Sequence, residues 1–154
     1  CLARLDLYHR RYDRAIEGFR ASLALDPSLP ASLMGLAETL ILRERYDEAL
    51  TELAKVEMPT FGAGYAGYCQ AKMGRTEEAR HTLRRLEELA QPEVAFQIAV
   101  LRFGLDDLGG TFAWLNRAID HPGIGIHWIG VDPFWDPLRG DRRFVAVLKR
   151  MNLA

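Results

Sequence analysis

The chain has 154 residues, of which 49% are apolar and 27% charged, a balance typical of one globular domain or one repeat array. Its 20 lysines and arginines against 21 aspartates and glutamates give a net charge of −1, which excludes a generally basic protein for nucleic acids or membrane surfaces. The two cysteines, Cys1 and Cys69, are too few for a disulfide framework and favour the cytoplasm, and no run of about 18 apolar residues predicts a membrane span.

A short motif recurs along the first 120 residues. Residues 12–16 read Tyr-Asp-Arg-Ala-Ile, and residues 46–50 read Tyr-Asp-Glu-Ala-Leu, 34 positions later. A third copy places Ala79 thirty residues after Ala49, and a weaker fourth copy has Thr111 where the alanine should fall. Each small residue is followed four positions later by a large apolar one, which is the spacing of one helix face. These apolar residues are Phe19, Leu53, Leu83 and Leu115.

Each unit predicts a helix A, a short turn and a helix B. Alanines at the crossing allow the two helices to approach closely, and Tyr12 or Tyr46 fills the wedge at the turn. Prolines, which cannot continue a helix, separate the units at Pro27, Pro30, Pro59 and Pro92. Stacked pairs can bury a continuous core that one pair cannot, so the sequence predicts an all-α solenoid of about four helix-turn-helix units. The units span residues 1–29, 30–59, 60–91 and 92–120.

Residues 121–154 do not repeat and are predicted to cap the open end of the last unit, as solenoids require. A short apolar helix is expected between Ile124 and Ile129. Aspartate followed by proline is typical of a helix start, so Asp132 and Asp136 are predicted to begin tight helical turns. Asp141 is expected to cap a final helix, whose apolar face carries Phe144, Val145, Leu148 and Met151. The main residues of the predicted cap are Asp132, Pro133, Trp135, Asp136 and Phe144.

The repeats resemble the tetratricopeptide repeat family. The resemblance rests on Tyr12, Ala15, Phe19 and Pro27; on Leu36, Tyr46, Ala49 and Leu53; on Gly67, Gly74, Ala79 and Leu83; and on Phe112, Leu115 and Ala118. It implies a right-handed superhelix whose A helices line a concave, partner-binding surface. Thr111 and the Gly109-Gly110 pair depart from the family pattern in the fourth unit.

The C-terminal segment resembles the ends of tetratricopeptide arrays in bacterial multidomain signalling proteins, such as adenylate-cyclase-like proteins, winged-helix regulators and serine/threonine kinases. The residues that carry this resemblance are Asp132-Pro133, Leu138-Arg139, Arg143-Phe144 and Leu148. The resemblance implies a bacterial regulatory setting. Because the chain opens inside an amphipathic stretch without an initiator methionine, we also expect it to be part of a longer protein with a domain upstream of Cys1.

By the same resemblance, the concave face should carry a partner-binding groove. Its positions are Met34, Glu38, Ile41 and Leu42 in the second unit, Phe61, Tyr65, Tyr68 and Lys72 in the third, and Phe96, Val100 and Phe103 in the fourth. Met34, Gly64 and Phe96 replace the residue types that clamp a peptide carboxylate in this family, which disfavours chaperone-tail binding. The apolar strip that remains suits a helix or an extended peptide. Two alternatives stay open: the C-terminal segment or neighbouring helices cover the strip, or an exposed patch joins two copies in a homo-oligomer.

Patterns for chemistry are sparse. None of His9, His81, His121 and His127 has zinc-site spacing, and no Cys-x-x-Cys or Gly-x-Ser-x-Gly motif is present. Cys69 is interpreted as a small packing residue. A metal, ligand or enzymatic site built from His121, His127, Asp132 and Asp136 is the alternative function. The basic cluster in residues 139–150 suits the end of a helix better than nucleic acid. We therefore predict a non-catalytic protein-interaction module without a metal or other cofactor.

Overall fold

A computed structural model describes residues 2–58, 60–121 and 125–153. Cys1, the predicted breaker Pro59 and the start of the predicted apolar helix at Ile124 lie outside these ranges. The described part of the chain is helical and contains no β-strand.

Four pairs of helices follow one another along the chain. They are α1 (Leu2–Tyr8) with α2 (Tyr12–Leu25), α3 (Pro30–Leu42) with α4 (Tyr46–Leu53), α5 (Ala63–Lys72) with α6 (Thr76–Glu88), and α7 (Ala95–Gly104) with α8 (Leu108–Asp120). Each helix packs on the one before it and the one after it, and α5 also packs closely on α7. The prediction of an all-α solenoid is confirmed.

Small residues set the distance between neighbouring helices. Ala15, Ala49 and Ala79 are completely buried where the helices of their pairs cross. On α5, a Cβ atom at Gly64 would lie 2.2 Å from the Gln97 carbonyl oxygen, which only a glycine avoids. In the fourth unit, Thr111 fits the alanine position because its hydroxyl donates to the Asp107 carbonyl oxygen at 2.7 Å.

The turn between the two helices of each unit has the same backbone geometry. Arg10, Glu44, Gly74 and Asp106 have φ angles of 59°, 57°, 78° and 60°. The amide after each of them donates to a carbonyl five residues earlier, for example Arg45 N to Leu40 O at 2.9 Å. This left-handed residue with its 6→1 hydrogen bond is the Schellman motif, which ends a helix and reverses the chain. Three of the four turns use it without glycine.

The C-terminal segment folds as two 3₁₀ helices, Ile126–Trp128 and Pro133–Leu138, and α9 (Arg142–Arg150). Asp132 and Asp141 act as helix caps, accepting hydrogen bonds from the backbone amides of Phe134 and Arg143, both at 2.8 Å. The prediction for Asp136 is wrong, because this residue lies inside the second 3₁₀ helix.

The Asp136 carboxylate accepts hydrogen bonds from Arg10 at 2.8 Å and Arg139 at 2.6 Å, and so ties the segment to the first unit. The predicted face of α9 also needs correction: Phe144 and Val147 are buried against the array, whereas Val145 is exposed.

Candidate partner-binding groove

The C-terminal segment covers the middle of the predicted concave strip. The ring of Phe134 lies 5.3 Å from Tyr65, 5.0 Å from Tyr68 and 5.7 Å from Phe103, measured between ring centroids. Trp135 stacks on Phe103 at 5.6 Å and is completely buried. The sequence left open whether this strip is exposed or covered. At these positions the structure shows that the C-terminal segment covers it.

Two other predicted groove residues are buried, and a third, Lys72, is exposed but held in an ion pair. Ile41 and Val100 are buried in the core. Lys72 lies at the outer end of α5, where its ammonium donates to Asp106 at 2.9 Å and sits 5.6 Å from the Tyr68 ring centroid.

Part of the surface beside the first 3₁₀ helix stays open. A groove of about 550 Å³, here called the outer groove, lies between the segment preceding α5, the start of α7 and this 3₁₀ helix. Trp128 and Met58 on its walls are exposed to 56% and 47%, although both are large and apolar. The other described wall residues are Thr60, Phe61, Gln91, Glu93, Val94, Gln97, Gly125 and His127.

A smaller pocket of about 150 Å³, here called the inner pocket, adjoins the outer groove. The two share Phe61, Gln97, Gly125 and Trp128 as wall residues. The remaining lining residues are Arg4, Tyr8, Met34, Glu38, Tyr65, Phe96 and Asp132. The structure therefore brings together five of the eleven predicted groove residues, namely Met34, Glu38, Phe61, Tyr65 and Phe96.

The inner pocket contains two buried carboxyl groups and one guanidinium. Glu38 is only 5% exposed, and its Oε2 accepts a hydrogen bond from Arg4 Nη1 at 2.9 Å. Its Oε1 is buried and meets no hydrogen-bond partner among the described residues. Burial, together with the neighbouring Asp132 carboxyl, raises the pKa of Glu38 well above its usual range, and Arg4 opposes this only in part. Burial raises the pKa of Asp132 as well.

Several residues of this site escape prediction from the sequence. Trp128 belongs to a stretch predicted to be an apolar helix, and Asp132 is predicted only as a cap. A 3₁₀ helix has three residues per turn, so Ile126 and Ile129 share its buried face and Trp128 lies on the exposed side. The three-residue spacing of these isoleucines is the sequence signal that could have indicated the exposure of Trp128. Arg4 comes from the far end of the chain, so no local pattern connects it with Asp132.

The residues of the alternative metal or enzymatic site are not brought together. His121 lies beside Trp114 and Arg117, while His127 faces the outer groove. Asp132 lines the inner pocket, and Asp136 binds arginines. Within the described ranges, no three His, Cys, Asp or Glu residues are close enough to hold a metal ion.

Cys69 does not offer a reactive thiol, and three arginines of the basic cluster are engaged in ion pairs. Burial raises the pKa of the Cys69 thiol to about 12, so it stays protonated at neutral pH. In the basic cluster, Arg139, Arg143 and Arg150 pair with Asp136, Asp141 and Asp120 at 2.6 to 2.7 Å.

The helix pairs, their repeated turns and the capped end define a helical-repeat protein of the solenoid class. Residues 2–60 match the family model described as tetratricopeptide repeat, and the match supports the predicted resemblance to that family over this part of the chain. No curated protein and no solved structure matches the chain. Tetratricopeptide repeats are generally protein–protein interaction modules and are typically non-catalytic. None of the described helices has the length and apolar character needed to cross a bilayer.

Proposed function

We propose that this chain is a non-catalytic interaction module that binds a peptide or helix of a protein partner in the outer groove and inner pocket. The observation that carries the proposal is the exposure of Trp128 and Met58 on the walls of a concave groove. Large aromatic side chains at the centre of a groove are the usual anchors of protein interfaces.

The outer groove is held in shape before any partner arrives. Ile126 and Ile129 fix the first 3₁₀ helix to the core, and the Trp128 ring packs 5.8 Å from Tyr8. A preformed site loses little conformational entropy on binding, which favours affinity. The Gln97 side-chain oxygen accepts a hydrogen bond from Gly64 N at 3.0 Å, and this orients its NH₂ group as a donor for a partner's backbone carbonyl.

The wider setting follows from the C-terminal motif of Asp132-Pro133, Leu138-Arg139 and Arg143-Phe144. Its resemblance to the ends of arrays in bacterial multidomain regulators supports a role within a larger regulatory protein of the cytoplasm. The bound segment then belongs either to a separate protein or to a neighbouring domain of the same polypeptide.

A peptide library displayed on phage and selected against the 154-residue chain tests the proposal. Selected peptides are synthesised, and their Kd is measured by calorimetry for the wild type, Phe61→Ala and Trp128→Ala. We expect both variants to weaken binding at least about tenfold, because they remove aromatic anchors. Leu25→Ala is the matched control, since Leu25 is 90% exposed on α2 and lines neither the outer groove nor the inner pocket.

Selected peptides that bind all these variants equally would overturn the assignment of the groove. Sedimentation velocity separates the other occupant, a second copy of the chain. A dimer that Trp128→Ala dissociates would reassign the groove to self-association.

A further inference from the structure

Two carboxyl groups meet across the boundary between the C-terminal segment and the array. Glu38 lies on α3, whereas Asp132 belongs to the segment that covers the concave strip, and both are buried. Arg4 on α1 is the only cationic side chain among the described residues of the inner pocket. Its guanidinium donates to Glu38 Oε2 at 2.9 Å and so balances one negative charge. A second ionised carboxyl group would have no counter-charge inside the pocket.

A proton held between the two groups removes this imbalance. As a carboxylate, Glu38 finds no donor for its Oε1 among the described residues, and two carboxylates cannot hydrogen-bond each other. With a proton on Oε1, Glu38 becomes a donor, and the neighbouring Asp132 carboxylate accepts its hydrogen bond. The Phe134 amide donates to Asp132 at 2.8 Å and stabilises the negative charge there. Burial, the charge of Asp132 and the shared hydrogen bond together raise the pKa of Glu38 well above its usual range.

The other charged and titratable groups around the pair keep one charge state near neutral pH. They are Arg4 and Tyr8 on α1, Tyr12 on α2, Tyr65 on α5 and Arg139 at the end of the second 3₁₀ helix. Burial raises the pKa of all three tyrosines, so they stay uncharged. Arg139 donates to the Asp136 carboxylate at 2.6 Å and to the Asp132 backbone oxygen at 3.2 Å. Glu38 is therefore the group whose charge changes as pH rises.

We infer that the Glu38–Asp132 carboxyl pair is a proton-dependent latch that holds the C-terminal segment on the concave strip and loosens as pH rises. When the shared proton leaves, two carboxylates face one guanidinium from opposite sides of the boundary between α3 and the segment. The pair loses its hydrogen bond and its charges repel, and opening of the segment relieves both effects by admitting water. Opening also uncovers the aromatic rings beneath Phe134. This inference concerns the cover alone and does not rest on the proposed function.

The residue type at position 38 favours a latch over a permanent tie. A glutamine there would donate to Asp132 at every pH, so an ionisable group is not needed merely to hold the segment. The apolar contacts of Phe134 and Trp135 also hold the segment, and their burial does not depend on pH. The carboxyl pair therefore sets how docking of the segment responds to pH.

Hydrogen exchange of the Trp135 indole N–H measures how often the segment opens. This N–H is buried and has no acceptor among the described residues, so its exchange with water requires opening of the segment. The signal is followed in ¹H–¹⁵N spectra and assigned with Trp135→Phe, and correction for the intrinsic exchange rate at each pH yields the opening constant. The amide of Val100, which is buried within α7, measures global unfolding in the same sample.

The direction and size of the effect follow from proton linkage. The Glu38 carboxyl group has a raised pKa while the segment is docked and an ordinary one near 4.5 when water reaches it. The opening constant therefore rises by up to about tenfold per pH unit between these two values. We expect the opening constant of the Trp135 indole to rise at least about tenfold between about pH 5 and about pH 8. It should also exceed the opening constant of the Val100 amide.

Variants on each side of the latch locate the effect. Glu38→Gln supplies a permanent donor, and Asp132→Asn removes the repelling charge while its side-chain oxygen still accepts from the Phe134 amide. Both variants should lose most of the pH dependence. Glu77→Gln, at an exposed position on α6, is the matched control and should keep it in full. The measurement on the wild-type chain needs no variant, so it decides the question even if a variant misfolds.

An opening constant that does not change with pH would overturn the inference. A pH dependence retained in full by Glu38→Gln or by Asp132→Asn would overturn it as well. Equal opening constants for the Trp135 indole and the Val100 amide would show that the segment opens only with global unfolding, which also excludes a latch. None of these results bears on the proposed function, which is tested separately with phage-selected peptides.

Discussion

The C-terminal segment is part of the array's core, and replacing Trp135 by alanine measures how much it contributes. Trp135 is completely buried, with the rings of Phe96, Phe103, Phe134 and Phe144 at centroid distances of 5.0 to 6.4 Å. Truncating a buried tryptophan to alanine typically lowers the free energy of unfolding by about 3–5 kcal/mol. Its indole N–H, however, is buried without an acceptor among the described residues, and removing such a group returns about 1–3 kcal/mol.

We therefore expect Trp135→Ala to lower the free energy of unfolding by about 2 kcal/mol, the difference between the midpoints of these two ranges, measured by urea denaturation and far-UV circular dichroism. Trp135→Phe keeps a ring and loses the unpaired N–H, so its effect should stay within about 1 kcal/mol. Trp128→Ala is the matched control in the same segment, because this ring is exposed and contributes less to the core. Loss of less than about 1 kcal/mol in Trp135→Ala would refute the reasoning and indicate an open concave face in solution.

Three further changes test the turns, the helix crossings and the buried carboxyl group. Gly74→Ala should lower the free energy of unfolding by about 1 kcal/mol, because Gly74 has a φ of 78°. A steric clash does not contribute, since a Cβ at this position meets no described atom within 4 Å. Gly140→Ala, in equally open space, should change this free energy by less. Ala49→Leu should overpack a completely buried helix crossing and lower the free energy of unfolding by about 1–3 kcal/mol. Ala113→Leu, on an exposed surface, should not lower it. Urea denaturation of these four variants checks both expectations. The raised pKa of Glu38 favours the folded state at low pH, and this contribution is lost as pH rises from the ordinary value of 4.5 through the raised one. Glu38→Gln should therefore gain stability relative to the wild type as pH rises over that interval, and a difference independent of pH would contradict the assignment.

The helix pairs were predictable because their determinants are local and repeat. A small residue followed four positions later by a large apolar side chain marks each B helix, and this spacing requires no knowledge of distant residues. Asp132 and Asp141 were predictable as caps for the same reason, since a cap binds an amide two residues away.

The errors concern residues whose partners are remote in sequence. Asp136 looks like a second cap, but besides the neighbouring Arg139 its carboxylate binds Arg10, which lies 126 residues away. The sequence could not distinguish a covered strip from an open one. Helical periodicity places Tyr68 and Phe103 on the same helix faces in either case. Only the path of the C-terminal segment, which delivers Phe134 to both rings, decides between these possibilities.

The same segment that covers one part of the concave face builds the other part. Asp132 caps the second 3₁₀ helix, which places Phe134 and Trp135 among the aromatic rings of the array, and its carboxyl group also lines the inner pocket. Trp128, earlier in the segment, forms a wall of both the groove and the pocket. A partner that displaced this segment would expose the ring cluster around Trp135 and destroy the inner pocket at the same time. Under the proposed function, we therefore expect a partner to bind beside the segment rather than displace it.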